Sequence, residues 1–107
     1  MSVEQADTID FIGVDKATGK VVLTISDHLD WKDPHFHLRK LQDKLNSYLR
    51  FCESGELHES YPDAKGRDVV LSIAARHPFS SEGEAFFSKA KVAIEHAGFS
   101  LELVTTK

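Results

Sequence analysis

Asp68-Val69-Val70-Leu71-Ser72-Ile73-Ala74-Ala75-Arg76 is the most continuously apolar segment of the chain. A strand covered on both faces reads this way, so the segment is expected at the centre of a sheet. Its direction relative to the other strands decides both the fold and where a site can lie.

Working outward, the sequence reads as β-β-α-β-α-β. Ile9, Phe11 and Gly13 alternate with Asp10, Ile12 and Val14, a strand pattern. Asp15-Lys16-Ala17-Thr18-Gly19-Lys20 reads as a turn, and Val21 to Ser26 alternates again, completing a hairpin. Asp33-Pro34 then starts a helix, with Asp33 as N-cap and Pro34 at the first helical position. Leu38, Leu41, Leu45, Tyr48, Leu49 and Cys52 form its apolar stripe, and Gly55 stops it. After Pro78, Ser81-Glu82-Gly83-Glu84 matches a capping box, with Ser81 as cap and Glu84 reaching back. Phe86, Phe87, Ala90, Ala93, Ile94 and Ala97 form a second stripe, ended by Gly98. Phe99, Leu101 and Leu103 alternate with Ser100, Glu102 and Val104 in a last strand.

Each strand has one apolar face: Ile9 and Phe11; Val21, Leu23 and Ile25; Val69, Leu71 and Ile73; Phe99, Leu101 and Leu103. The other face mixes Asp10, Thr24, Ser26, Ser72 and Glu102 with Ile12, Val14, Val22, Val70 and Val104. One apolar face implies an α/β (α+β) two-layer sandwich, a single sheet with both helices on one side. Right-handed crossovers achieve this only if the strand order advances without reversing. Such a sheet lacks the ligand crevice of a doubly wound fold. A short strand at Leu57–Tyr61 is the alternative element. Pairing it with Val69–Ala75 would give a ferredoxin-like variant and reverse the central strand.

Totals bound the function. The 107 residues form one domain, 1–107, with the polar residues 1–7 expected to fray as a disordered lead-in. Seventeen acidic against 13 basic residues leave a net charge of −4, so no global basic field attracts nucleic acid. Cys52 is the only cysteine, which excludes an intrachain disulfide and fits a reducing, cytoplasmic compartment. The start, MSVEQADTID, has no apolar core and is no signal peptide. The longest aliphatic runs, Val21-Val22-Leu23 and Val69-Val70-Leu71, are far too short for a membrane span. Residues 1–33 carry seven acids against three bases, whereas 34–53 carry four bases against two acids. Lys40 and Lys44 share a helix face, read as solvated.

Chemistry concentrates in residues 27–37, which hold Asp27, His28, Asp30, Asp33, His35, His37 and the only tryptophan, Trp31. A divalent ion needs imidazole and carboxylate ligands converging at roughly 2 Å. On a helix His35 and His37 point about 200° apart and cannot share an ion. No metal or other cofactor is therefore assigned, and His28 and His37 remain the metal candidates. The plainer reading gives Asp27 and Asp30 to turn amides, Asp33 to the cap, and His35 and His37 to a solvated first turn. Trp31 reads as a lid over the core. Arg76-His77 ends the central strand. If that strand runs parallel to Val21–Ser26, Asp27, His28, Arg76 and His77 line one rim, with Ser80 and Ser81 nearby. Asp27, His28, Asp30 and His77 are then the catalytic candidates, and Trp31, His37 and Arg76 the binding candidates. Gly13 to Val21 superficially suggests a phosphate loop. It has five residues between its glycines, Val21 where Ser or Thr should sit, and a strand after it, so a hairpin turn explains it. Cys52, on the buried stripe without neighbouring cations, is not read as reactive.

Ser26-Asp27-His28-Leu29-Asp30-Trp31, His37-Leu38, Leu41-Gln42 and the run from Tyr48 through Leu57 to Tyr61-Pro62 together resemble a family of small uncharacterised bacterial proteins. The similarity extends over most of the chain. It implies a bacterial cytosolic protein and carries over no catalytic residue.

The expectation is a non-enzymatic protein-interaction or regulatory domain. It would self-associate as a homodimer through the half-apolar sheet face or an edge strand, or take another protein as partner. Neither nucleic acid nor membrane is expected. The alternative is a small metal-dependent or general-base hydrolase built on the Asp27/His28/Asp30 loop.

Overall fold

The computed structural model describes residues 3–4 and 9–105. The elements are β1 (Phe11–Val14), β2 (Val21–Asp27), α1 (Pro34–Glu53), α2 (Glu56–Ser60), a 3-10 turn (Pro62–Ala64), β3 (Val69–Ala75), α3 (Ser81–His96) and β4 (Ser100–Thr105). The fold is α+β, with one mixed sheet in the order β1-β2-β3-β4. β1 runs antiparallel to β2, while β2, β3 and β4 are mutually parallel. The order advances without reversal, so right-handed crossovers bring α1 and α3 to the same face. Between helices and sheet lies the core, built on Val21, Leu23, Ile25, Leu41, Leu45, Leu71, Ile73, Ile94 and Leu101.

The segment Leu57–Tyr61 is not a strand. Gly55 ends α1 with a positive φ of 90°, and Glu56–Ser60 turns once more as helix. That turn sinks Leu57 into the core, with 1% of its surface exposed. A single apolar anchor suits one helical turn, where a half-buried strand would need alternating ones. No ferredoxin-like hairpin forms, and β3 stays parallel to β2.

β1 presents the opposite face from the one expected. Ile12 pairs with Leu23 and Val14 with Val21, so both point into the core. Phe11 instead lies on the open face, 66% exposed. The cause is Asp10, which shares the inward parity of Ile12 and Val14 and meets a cation there. Lys44 Nζ donates to Asp10 Oδ1 at 2.8 Å, with both side chains buried. Lys44 is thus not on a solvated face. Asp10 Oδ2 also accepts from Ser26 N at 3.0 Å. Tyr48 Oη accepts from Asp10 N at 2.9 Å and donates to the Thr24 carbonyl at 2.7 Å. Burial pushes the Tyr48 phenol above its ordinary range.

Helix termini follow local chemistry. Asp33 Oδ1 accepts from Phe36 N at 3.2 Å, as its N-cap role requires. At α3 the cap is Ser80 rather than Ser81, its hydroxyl accepting from Gly83 N at 3.2 Å. Ser81 is the first helical residue and exposed. Of the lead-in expected to fray, Val3 is fully buried and donates its N–H to the Ser26 carbonyl at 3.0 Å. The rest of that stretch, beyond Val3 and Glu4, lies outside the described residues.

Candidate functional site

Parallel pairing brings the carboxyl ends of β2 and β3 together, with Asp27 beside Ala75. Arg76 N donates to the Asp27 carbonyl at 2.9 Å and extends that pairing by one residue. Asp27 has the same parity as Val21, Leu23 and Ile25, so its side chain points under the helix layer rather than out to the rim. α1 passes over it, and its buried stripe begins at His37, one residue before Leu38, the first apolar residue of the helix stripe read from the sequence. That stripe comprises His37, Leu41, Lys44, Leu45, Tyr48 and Cys52.

His37 and Asp27 therefore meet. His37 Nε2 lies 2.6 Å from Asp27 Oδ2 and 2.8 Å from Oδ1. His37 Nδ1 donates to the Asp30 carbonyl at 3.0 Å. A carbonyl can only accept, so Nδ1 carries a hydrogen. The close Nε2–carboxylate contact needs a second proton, bound to the ring or to the carboxyl group. The pair is either imidazolium with carboxylate or imidazole with carboxylic acid.

The loop between β2 and α1 is folded onto this pair by its own aspartates. Asp27 Oδ1 accepts from Leu29 N at 3.1 Å and Asp30 Oδ1 from Lys32 N at 3.1 Å. These turns place Trp31 flat on His37, with centroids 3.8 Å apart and planes 29° apart. Phe79 meets the Trp31 ring edge-on at 5.0 Å. Gly83 leaves the space the indole fills, since a Cβ there would come within 2.6 Å of Trp31. The Trp31 indole N–H is buried with no hydrogen-bond acceptor. Under this lid the His37 and Asp27 side chains are 1% and 0% exposed.

The other candidates go elsewhere. His28 Nε2 lies 2.9 Å from Glu4 Oε1, and both side chains are nearly half exposed. The exposed Asp30 side chain stands 4.0 Å from Lys32 Nζ. Arg76 is exposed and His77 half-buried beyond the end of β3. Among the described residues no three His, Cys, Asp or Glu side chains converge to hold a metal ion. Among the described residues no helix is long and apolar enough to cross a membrane.

Sequence reasoning placed His37 in a solvated first turn, and its burial corrects that. The signal lay in the spacing, because 37, 41, 44 and 48 form one continuous helical stripe. The buried Asp10–Lys44 pair was missed for the same reason: a lysine on an apolar stripe is a charge that needs a partner.

A model of a family of unknown function, DUF6572, matches residues 1–107. No curated protein matches the chain, and no solved structure does.

Proposed function

The chain belongs to DUF6572, a family of unknown function, and we propose that it is a non-enzymatic protein-interaction domain that pairs with a second copy of itself. The observation that carries this reading is where the chemistry and the exposed apolar surface lie. The acid–base pair Asp27–His37 is sealed under Trp31. A hydrolase would need its general base within hydrogen-bond reach of substrate. The open sheet face, by contrast, presents Phe11 at 66% exposure at one edge and Val104 at 46% at the other, with Val22 and Ala74 between them.

Contact surfaces are enriched in aromatic side chains relative to the rest of the surface, and Phe11 supplies one here. The face is suited to self-pairing because its two apolar edges are separated by polar Thr24, Ser72 and Glu102. A two-fold axis through the central strands lays the Phe11 edge of one copy over the Val104 edge of the other. The Ser72 hydroxyl of β3 donates to Glu102 Oε2 of the edge strand β4 at 2.9 Å, so that carboxylate already has one partner. The lone, buried Cys52 suits a cytoplasmic setting for such a domain.

Sedimentation velocity tests the proposal. The expected result is a dimer at high micromolar concentration that becomes monomeric in Phe11→Ser/Val104→Ser. A wild-type protein that remains monomeric overturns it.

A further inference from the structure

α1 and α3 do not close on one another along their outer sides. α3 turns Ala90 and Ala93 toward α1, and these short side chains leave a groove of about 350 Å³. Its walls are Leu45 and Leu49 on one side and Phe86 and Ile94 on the other. Phe86 to Ile94 spans roughly 12 Å along the helix axis. This volume is at the lower end of the range of small-molecule cavities, about 300–1,000 Å³.

The polar groups on the rim are Gln42, Asn46 and Lys89. No carboxylate lines the groove. Lys89 is exposed and makes no ion pair among the described residues. Apolar walls with one cation and two carboxamides on the rim complement an apolar body carrying a single negative charge. A cationic amphiphile would meet Lys89 with like charge, and a polyphosphate would leave most of its charge uncompensated.

We propose that this groove binds a medium-length aliphatic carboxylate. Its chain lies between Leu45, Leu49, Phe86 and Ile94, and its head group is held by Lys89 with Gln42 and Asn46. The site lies on the helix layer and is independent of the sheet-face contact.

Titration of the full chain with sodium octanoate, below its micellar concentration, tests this by amide chemical shifts. Octanol and octylammonium serve as neutral and cationic controls. The expected result is saturable shifts centred on Leu45, Leu49, Ala90 and Ala93, with octanoate binding the tightest. Lys89→Glu, a surface change, should weaken octanoate by roughly tenfold or more while leaving octanol nearly unchanged. Ala93→Phe, which fills the groove, should abolish both. The proposal is overturned if octanoate gives no saturable shifts, if octylammonium binds equally well, or if Lys89→Glu leaves octanoate binding intact. It is also overturned if the groove substitutions change only the oligomeric state, which would place a protein there instead.

Discussion

The Trp31 indole lies stacked on the His37 imidazole at 3.8 Å, and beneath it His37 Nε2 meets Asp27 Oδ2 at 2.6 Å. Sequence order makes the arrangement. Asp27 closes β2, Trp31 lies on the loop, and His37 falls in the first turns of α1. One buried pair with a shared proton thus ties strand, loop and helix together at the carboxyl end of the sheet.

Breaking that pair from one side leaves the other partner buried and uncompensated. Asp27→Ala and His37→Ala should each cost about 3 kcal/mol, the value at which the ranges for orphaning a buried polar group and a buried charge meet. The two losses should be strongly non-additive, because each removes the same interaction. Urea unfolding of both single variants and the double variant measures this. Simple additivity would mean that the pair contributes no coupling energy.

Gly83 is where α3 yields to the indole. Alanine there gains up to about 1 kcal/mol of helix propensity. Its Cβ, however, would stand 2.6 Å from two Trp31 ring carbons and 3.0 Å from Phe79. Overpacking of that kind costs about 1–3 kcal/mol. Gly83→Ala should therefore be destabilising and should change the emission of the only tryptophan. Gly83→Ala combined with Trp31→Phe should be less destabilising than the sum of the two single changes. A neutral or stabilising Gly83→Ala would show that the loop moves aside freely.

Some of this was legible in the sequence and some was not, for local reasons. Asp33-Pro34 announces α1 because a cap and a fixed φ act within a few residues. The apolar run Val69–Ala75 announces a central strand, since β2 and β4 flank it. The direction of β3 was not readable, because it depends on the short segment Glu56–Ser60, too brief to show a period. The face of β1 was not readable either. Phe11, Ile12 and Val14 are all apolar, and the choice is made by Asp10 reaching Lys44, 34 residues away in the chain. At the candidate site the residues were legible but their burial was not. Asp27 and His37 are polar by type and core by parity, and only the fold shows that parity wins.

The Asp10–Lys44 pair makes a second prediction about buried charge. Lys44→Met keeps the apolar stem but abandons the carboxylate of Asp10 in the core. It should cost about 3–5 kcal/mol. Asp10→Asn/Lys44→Met removes both charges and should be more stable than Lys44→Met alone, with the amide still able to accept from Ser26 N. Denaturant midpoints of the three proteins decide the matter. A double variant no better than Lys44→Met would show that the carboxylate is not the source of the loss.

Cys52 gives a prediction in pH. Burial first, and then the neighbouring Glu53 carboxylate, push its thiol from an ordinary 9.0 up to about 11. The native protein should therefore hold almost no thiolate at pH 8, and Cys52 should react slowly with iodoacetamide until urea exposes it. A raised acid value means that folding favours the neutral thiol. The associated stability is fully present below the unfolded thiol's value and is lost as pH rises from about 9 through about 11. One pKa unit corresponds to about 1.4 kcal/mol, so the loss attributable to Cys52 is about 2–3 kcal/mol at most. Tyr48 adds to the decline at the upper end, because its buried phenol is raised as well. Cys52→Ala separates the two contributions. It should flatten the stability curve just above pH 9, below the ordinary phenol value of 10.0 at which unfolded Tyr48 is half ionised, and leave the steeper fall at higher pH. If the alanine variant loses stability just above pH 9 as steeply as the wild type, the buried thiol is not what titrates there.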